Sequence, residues 1–331
     1  MKVLITGGAG FIGSTIASCC QDNDITPIVL DGLSSGREEF VSRHNFYRGD
    51  IGDGTLVDKI FIDHPDIAAV VHCAAKITVP ESMVDPVGYY ENNVAKSISL
   101  VRALLRNGCG RFLFSSTAAM YEPGEDFSVD ESSEPNPQSP YARTKLMLEH
   151  FLADVPLAEP FRVLSLRYFN PIGSDPKFRT GLQNPYPSHA LGKLIQAFEK
   201  GEAYTLMGVD WPTRDGSTIR DYIHVWDLAR AHVAALLKFD QLLPESAGHD
   251  VINLGTGTGT TVRELIASFE QVTDGKLNVV EAPRRAGDVI GCFTRTEKAN
   301  RLLDWKAEKT LADGIRDSLA WSAKRPEVLG E

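Results

Sequence analysis

The sequence predicts an α/β protein in which a doubly wound parallel sheet is joined to a smaller C-terminal α/β lobe. Strand and helix signals alternate through the first half of the 331-residue chain, which is typical of parallel strands linked by crossover helices. A glycine-rich turn connects the first strand to the first helix. After about residue 170 prolines become frequent and the alternation stops, so we expect a second lobe to begin there.

The elements of the first half follow from apolar runs and from helix start signals. We expect strands over 2–6, 27–31, 45–48, 68–73, 111–116 and 162–168. Helices are expected to begin near residues 11, 54, 86 and 140, and helical patterns return over 189–200, 226–238 and 261–273. A boundary near residue 175 therefore divides the chain into domains 1–175 and 176–331.

Composition excludes several classes of protein. The net charge of −10 argues against binding to nucleic acid or to an acidic membrane surface. The longest apolar runs are too short to span a membrane. The five cysteines lack the spacing of metal ligands, and Cys19 and Cys20 are adjacent, so we expect reduced thiols and no metal. The first strand begins at the N-terminus and leaves no room for a signal peptide, so we expect a cytoplasmic protein.

The turn after the first strand carries Gly7, Gly10 and Gly13 and runs directly into a helix. This spacing suits a tight turn that lets a pyrophosphate approach the backbone at a helix N-terminus. The second strand ends in Asp31, which can accept hydrogen bonds from the hydroxyls of an adenosine ribose. Because its charge would repel a 2′-phosphate, the pattern predicts NAD binding and disfavours NADP.

A tyrosine and a lysine lie four residues apart at the start of the helix near residue 140. Ser139 suits the N-cap and Pro140 the first helical position, so Tyr141 and Lys145 are expected on one helix face. A neighbouring ammonium favours the phenolate form of tyrosine, which gives the proton acceptor that oxidation of an alcohol requires.

Other polar or small residues lie where predicted strands end. In a parallel sheet these carboxyl ends meet at one edge, where ligands bind. The residues are Asp31, Asp50, Ala74, Ser115, Ser116, Thr117 and Asn170.

The combined motifs resemble those of the extended short-chain dehydrogenase/reductase family. The resemblance runs nearly end to end and is carried by residues 6–13, 115–121, 141 with 145, 166–171, 220–225 and 284–288. The later motifs narrow it to nucleotide-sugar enzymes, and the combination favours the UDP-hexose 4-epimerases. The resemblance implies reversible, NAD-dependent epimerisation of UDP-glucose and UDP-galactose at C4 through a 4-keto sugar. It also implies a homodimer, and a C-terminal lobe that binds the UDP-sugar while segments such as 220–240 return to the first domain.

The resemblance also assigns roles to individual residues of this chain. The catalytic residues it implies are Thr117, Tyr141 and Lys145. The NAD-binding residues it implies are Gly7, Gly10, Phe11, Ile12, Gly13, Asp31, Asp50, Ile51, Cys73, Ala74, Ala75, Asn93, Ser115, Tyr141, Lys145 and Phe169. The substrate-binding residues it implies are Thr117, Tyr141, Asn170, Asn184, Arg220, Arg285, Asp288 and Cys292.

Three positions depart from or refine the family pattern. Gly32 stands where many members carry an asparagine that holds the cofactor, and the motif around Asn184 differs from the usual one. Cys292 occupies a position that borders the C2 substituent of the sugar in these epimerases. Its small side chain implies that the pocket also accepts an N-acetyl group.

Three alternative functions remain open from the sequence. A 4-epimerase of a UDP-pentose or UDP-uronate would use the same residues. A nucleotide-sugar 4,6-dehydratase would carry Asp-Glu after the strand-end threonine, where this chain has Ala118 and Ala119. A non-catalytic NAD-binding protein would be expected to lack one of Thr117, Tyr141 and Lys145.

Overall fold

The computed structural model describes residues 1–284 and 288–331, which form a doubly wound α/β fold. Its strands in chain order are β1 Lys2–Thr6, β2 Thr26–Asp31, β3 Asn45–Arg48, β4 Ile67–His72, β5 Arg111–Thr117, β6 Ser128–Val129, β7 Arg162–Tyr168, β8 Asn170–Ile172, β9 Tyr204–Met207, β10 Ile219–Arg220, β11 Tyr222–His224, β12 His249–Leu254, β13 Thr260–Thr261, β14 Val279–Ala282 and β15 Phe293–Thr294.

The helices carry the crossovers between strands. They are α1 Phe11–Asp22, α2 Gly54–Asp63, α3 Val79–Val84, α4 Pro86–Tyr90, α5 Lys96–Arg106, α6 Pro140–Asp154, α7 Ala190–Lys200, α8 Val225–Leu237, α9 Phe239–Leu242, α10 Val262–Thr273, α11 Glu297–Leu303 and α12 Leu311–Leu329. A π-helical turn, Glu91–Ala95, joins α4 to α5. No helix within the described ranges is both long and apolar enough to cross a membrane.

The central sheet has seven parallel strands in the order β12-β7-β5-β4-β1-β2-β3. The predicted fold class and all six predicted strands are confirmed, as are the helix starts at residues 11, 54, 86 and 140. The seventh strand, β12, was not predicted. Its last three residues, 252–254, are completely buried. By pairing with β7, β12 covers a strand edge that β7 would otherwise expose.

Each face of the sheet is covered by helices. On one face Ile16 of α1, Leu228 of α8 and Trp321 of α12 belong to a single apolar core. On the other face Val57 of α2 and Leu148 of α6 belong to a second core. Burial on both faces explains why the strands are almost continuously apolar rather than alternating.

A third apolar core marks the smaller lobe. It contains Leu194 of α7, Leu206 of β9, Leu265 of α10 and Ile315 of α12. Between these elements the chain returns to the sheet, where α8 packs against α1 and β12 pairs with β7. The chain therefore passes between the cores more than once.

Candidate functional site

The glycine turn after β1 has the shape of a phosphate cradle. Gly7 has a φ of +71°, and a Cβ there would lie 2.6 Å from the backbone nitrogen of Ala74. A Cβ on Gly13 would lie 2.3 Å from the carbonyl oxygen of Gly7. At Gly10, by contrast, the nearest described atom to an added Cβ is the Gly7 oxygen at 3.5 Å. The protein itself crowds two glycines and leaves the third open, which suits a ligand approaching the N-terminus of α1.

That N-terminus is suited to an anion. Gly10 is the N-cap of α1 and offers no side chain to the first N–H groups, and the first turn holds no acidic residue. Phe11 and Ile12 contribute the first two helical residues. Backbone N–H groups and the positive end of the helix dipole therefore point towards the open side of the cradle.

Asp31 ends β2 beside this cradle and is largely buried. Its carboxylate accepts hydrogen bonds from the Ala9 nitrogen at 2.9 Å and from the Leu33 nitrogen at 2.7 Å. These bonds fix its orientation, while each oxygen keeps a second lone pair. The carboxylate is thus positioned to accept hydrogen bonds from ribose hydroxyls.

Helix α6 begins as the sequence predicts. The Ser139 hydroxyl accepts a hydrogen bond from the Ala142 nitrogen at 3.2 Å, and Pro140 occupies the first helical position. Tyr141 and Lys145 both point inwards, with 9% and 4% of their surface exposed. The helix start therefore holds both side chains against the carboxyl end of β5.

Burial is the largest influence on the ionisation of both Tyr141 and Lys145. Burial raises the pKa of Tyr141, while its hydrogen bond with Thr117 opposes that rise. Lys145 donates from Nζ to the carbonyl oxygen of Ser115 at 2.8 Å, and its Nζ lies 4.8 Å from the centre of the Phe114 ring. Burial lowers the pKa of Lys145 to about 8. Burial therefore favours the neutral phenol form of Tyr141 in the protein alone.

Cys73, Ala74 and Ser115 line the wall between the glycine turn and α6. The Cys73 thiol lies 3.1 Å from the Ser115 hydroxyl, and burial raises the pKa of this thiol to about 11. Ala74 packs against Gly7, and Ala75 follows it. The wall between the cradle and α6 is therefore built of small side chains.

Asn93 lies within the π-helical turn and is almost fully buried. Its side chain accepts from the Lys76 nitrogen at 2.8 Å and donates to the Lys76 oxygen at 2.9 Å. It also donates to the Thr144 hydroxyl at 3.1 Å. The amide therefore ties the segment after β4 to α6, which positions the pocket wall.

Asp50 and Ile51 lie just beyond β3, the strand that pairs with β2. Asp50 is half exposed, forms an ion pair with Lys96 and accepts from the Gly52 nitrogen at 2.8 Å. Ile51 is buried in the core between the sheet and α2. Asp50 thus has structural partners, and an edge of its carboxylate faces solvent.

Further predicted substrate residues are Asn170, near the end of the first domain, and Arg220, in the second lobe. Asn170 begins β8, and its backbone nitrogen donates to the Asp221 oxygen at 3.0 Å. The Arg220 guanidinium donates to the carbonyl oxygens of Ile219 at 2.6 Å, Ile290 at 2.9 Å and Val289 at 3.2 Å. Arg220 therefore holds the segment that follows Asp288.

Two further predictions concern the same side of the protein. Arg285 lies outside the described residues. Asn184 lies on an exposed turn, where its side chain accepts from the Tyr186 nitrogen at 2.8 Å. The structure places Asn184 in a local turn and gives it no contact with the other predicted site residues that are described.

Phe169 and Cys292 meet in one small apolar cluster together with Ala118, Tyr121 and Val129. Ala118 directly follows Thr117, so the cluster borders the carboxyl end of β5. Burial raises the pKa of the Cys292 thiol to about 12, which keeps it neutral. The predicted specificity position therefore lies next to the predicted catalytic hydroxyl.

Sequence reasoning missed two buried acidic residues near the site. Glu149 forms an ion pair with Arg167 beneath α6. Asp221 accepts hydrogen bonds from Thr256, Gly257 and Thr294, and burial raises its pKa. The spacing of Glu149, four residues after Lys145, was a usable signal, whereas the partners of Asp221 are distant in sequence.

Comparison with known proteins places the chain in a family. The pattern of the NAD dependent epimerase/dehydratase family matches residues 3–255. A UDP-glucose 4-epimerase of Rhizobium meliloti is 40% identical over 325 residues, which cover 98% of each chain. A solved UDP-glucose 4-epimerase of Stenotrophomonas maltophila, with bound NAD and a formylated UDP-arabinopyranose, superposes with a TM-score of 0.92 at 35% identity over 99% of each chain.

A third relative has a broader name. The UDP-Glc/GlcNAc 4-epimerase of Campylobacter jejuni superposes with a TM-score of 0.81 at 34% identity, covering 98% of this chain and 99% of that one. These matches span nearly the whole chain and therefore include both lobes. The chain belongs to the NAD dependent epimerase/dehydratase family.

Proposed function

We propose that this protein is an NAD-dependent UDP-hexose 4-epimerase that interconverts UDP-glucose and UDP-galactose. The observation that carries the proposal is the convergence of Thr117, Tyr141 and Lys145 at the end of β5, beside the glycine cradle. The relatives that match over nearly the whole chain bear the name UDP-glucose 4-epimerase.

The residues of the chain fit NAD at the cradle. The open Gly10 and the uncapped start of α1 suit the pyrophosphate, and Asp31 suits the adenosine ribose. Bound NAD supplies a hydride acceptor and donor for the sugar. The carboxylate of Asp31 would repel the 2′-phosphate of NADP, so we expect a preference for NAD.

The proton chemistry belongs to Tyr141. The phenol lies against the Thr117 hydroxyl, so a sugar hydroxyl placed between them can be held by threonine and can give its proton to tyrosine. Because Tyr141 is a phenol in the protein alone, its activation requires added positive charge or hydrogen bonds in the complete site. Lys145, which is buried at hydrogen-bond distance from Ser115, is the cation that the chain provides.

The second lobe would hold the nucleotide. We assign Asn170, Arg220, Arg285 and Asp288 to the UDP moiety on the strength of the family resemblance. Arg220 would act partly through its hold on residues 289 and 290. An anchor at the nucleotide leaves the sugar free to turn, so that hydride can return to its other face.

Dehydration is a weaker alternative. The backbone nitrogen of Ala119 donates to the Thr117 hydroxyl oxygen at 3.1 Å in a short 3₁₀ turn. Ala118 and Ala119 carry no acid or base at the positions where a 4,6-dehydratase needs them. A non-catalytic role is disfavoured because Thr117, Tyr141 and Lys145 are all present.

The deciding experiment supplies purified protein with UDP-galactose, UDP-xylose and UDP-glucuronate in turn and resolves the products. We expect conversion of UDP-galactose to UDP-glucose with no net accumulation of NADH. If UDP-xylose or UDP-glucuronate is epimerised faster than UDP-galactose, that sugar is the preferred substrate and the proposed UDP-hexose is not. Release of a 4-keto-6-deoxy sugar, or stoichiometric NADH, would refute epimerisation.

We also propose a homodimer in the cytoplasm. Exposed apolar side chains, Met83 and Val84 of α3, Val87 of α4 and Met147 of α6, lie on neighbouring helices and offer a surface for a second copy. All five cysteines are free thiols, as expected in a reducing compartment. Light scattering on the purified protein tests the dimer directly.

A further inference from the structure

Glu149 is a buried carboxylate that the proposed reaction does not use. It lies on α6 four residues after Lys145 and eight after Tyr141, so the three side chains follow one another along one helix face. Only 2% of its surface is exposed. A buried carboxylate requires ion-pair or hydrogen-bond partners, and these partners show which parts of the fold Glu149 connects.

The first partner is Arg167 of β7. Its Nε donates to Oε1 of Glu149 at 3.0 Å and to Oε2 at 3.2 Å, and its Nη2 also donates to Oε2. The second partner is Ser116 of β5, whose hydroxyl donates to Oε1. The carboxylate is therefore held in one orientation by two adjacent strands.

Of these two residues, Ser116 immediately precedes the site residue Thr117. Ser116 lies opposite Arg167 in the parallel register of β5 and β7, and Arg167 lies opposite Asn253 of β12. Ser116 is followed by Thr117, which forms the hydrogen bond with Tyr141. Fixing Glu149 to Ser116 thus fixes the distance between α6 and the strand end that carries Thr117.

The network continues to the wall of the sugar pocket. Nη1 of Arg167 donates to the Tyr121 hydroxyl at 2.6 Å, and that hydroxyl donates to Oδ1 of Asn253 at 2.9 Å. The Tyr121 ring belongs to the cluster that contains Cys292. One chain of hydrogen bonds therefore links the proton-transfer helix, three strands and the specificity pocket.

Stability alone is a weak explanation for this arrangement. Burying a carboxylate and a guanidinium costs desolvation energy that their attraction barely repays, and an apolar pair of similar size often stabilises a fold equally well. What the ion pair adds is direction, since a bidentate contact has one geometry whereas apolar packing tolerates sliding.

We propose that Glu149 is a positioning residue, which locks the Tyr141–Lys145 face of α6 onto Ser116 and Arg167 and so sets the geometry of proton transfer. The proposal rests on the proposed roles of Tyr141 and Lys145. It assigns no contact between Glu149 and substrate.

The same carboxylate acts electrostatically on Lys145. Burial lowers the pKa of Lys145 to about 8, while the charge of Glu149 opposes that fall. The other titratable or charged groups around the lysine are Tyr141 on α6, His72 and Cys73 at the end of β4, Tyr168 and Arg167 at the end of β7, and Asp31 beyond Cys73. Removing the Glu149 charge is therefore expected to lower the pKa of Lys145 further.

The test is Glu149→Gln in the holoenzyme, assayed with UDP-galactose. We expect kcat to fall by about 10- to 100-fold, as small displacements of reacting groups do, with KM unchanged within about twofold. The alkaline limb of the kcat profile should move to lower pH. Asp227→Asn is the matched control, because Asp227 is a buried carboxylate paired with Arg230 on the opposite face of the sheet. It should lower the Tm and leave kcat and the pH profile unchanged.

Glu149→Gln leaves Arg167 unpaired and can fail to fold, so the double variant Glu149→Gln/Arg167→Met accompanies it. Removing both charges should restore the Tm while kcat stays low. Wild-type kcat in either folded variant would overturn the proposal. The proposal would also be overturned if the Asp227→Asn control lost activity as Glu149→Gln does, because lower stability alone would then explain the loss of kcat.

A sugar-independent measurement separates this proposal from the proposed function. Carbon-13 NMR of protein labelled at lysine Cε follows the titration of Lys145, whose signal is the one missing in Lys145→Met. We expect its midpoint to fall in Glu149→Gln. If the wild type fails to convert UDP-galactose but this shift appears, the proposed function fails and the coupling of Glu149 to Lys145 stands. An unchanged midpoint in the folded variant overturns the coupling.

Discussion

Tyr141 is the residue whose removal bears most directly on the proposed chemistry. Tyr141→Phe keeps the buried ring and deletes the hydroxyl that meets Thr117. We expect kcat to fall about 10²- to 10⁴-fold, the range for loss of one acid–base group. Bound NAD and UDP-sugar affinity should stay close to the wild type, as measured by cofactor content and calorimetry. A variant with near wild-type turnover would show that another group transfers the proton.

Cys292 is the residue that we expect to set the size of the sugar's C2 substituent. Its small side chain sits among Ala118, Tyr121 and Phe169 at the edge of the site. We predict that the wild type epimerises UDP-N-acetylglucosamine. Cys292→Tyr should abolish that activity through steric clash while sparing UDP-galactose, as measured by product analysis with each sugar.

Cys292→Ser is the matched control, since it preserves the volume and should keep both activities. A wild type that converts UDP-galactose but leaves UDP-N-acetylglucosamine untouched contradicts the prediction. The aromatic neighbours would then be filling the space that the cysteine leaves.

At the scale of elements, the π-helical turn between α4 and α5 carries Asn93, whose side chain forms hydrogen bonds with the Lys76 backbone and with Thr144. Asn93→Ala would leave the backbone N–H and C=O of Lys76 without their side-chain partner. We expect a loss of about 1–3 kcal/mol for each group left unsatisfied and a weaker affinity for NAD. Urea denaturation and NAD titration measure the two effects.

Glu91→Ala is the control for that turn, because Glu91 is exposed and lies in the same π-helical segment. It should change neither quantity. If Asn93→Ala unfolds at the wild-type urea concentration, the amide is not what holds the segment after β4 in place.

The same scale shows why some features could be predicted and others could not. The start of α6 was predictable because Ser139, Pro140 and the apolar spacing are all local signals. β12 was missed because its role depends on an edge of β7 formed more than eighty residues earlier. Arg220 was predicted as a phosphate-binding arginine, but its contacts with the carbonyls of residues 289 and 290 could not be predicted, because they depend on how the second lobe folds.

The ionisation of Tyr141 and Lys145 likewise depends on more than their spacing in the sequence. Spacing alone put Lys145 on the face of Tyr141, which the structure bears out. Spacing carries no information on burial, and burial decides the ionisation of both groups in the protein alone. Glu149 lies four residues after Lys145, so its position on the same helix face was predictable. Its ion pair with Arg167 was not, because Arg167 lies on β7.

At the scale of the whole molecule, histidines should control stability in mild acid. Burial lowers the pKa of His72 to about 3 and those of His44, His189 and His232 to about 4. Below about pH 6.5 the unfolded chain binds protons that the folded chain refuses, so stability falls as pH falls. Each group contributes about 1.4 kcal/mol per pH unit until its folded pKa is reached. Urea midpoints between about pH 7 and pH 5 measure this slope.

His72 offers the sharpest single test of that slope. It bridges the Thr6 and Ser97 hydroxyls at 2.7 and 2.9 Å, and His72→Gln keeps a polar group there without a titratable one. In His72→Gln the slope of stability against pH should fall by about 1.4 kcal/mol per pH unit, the contribution of one group. His150→Gln, at an exposed position on α6, should leave the slope unchanged. Equal slopes in the wild type and His72→Gln would exclude the predicted role.

The position of β12 has a consequence for how the protein is made. On the ribosome, β7 emerges long before its outer neighbour exists, so a nascent chain that has not reached Leu254 presents a bare parallel edge to the cell. Chains of this protein that stall or terminate before β12 should therefore bind chaperones or aggregate. Once β12 has been synthesised and has paired with β7, that edge of β7 is no longer available to other proteins.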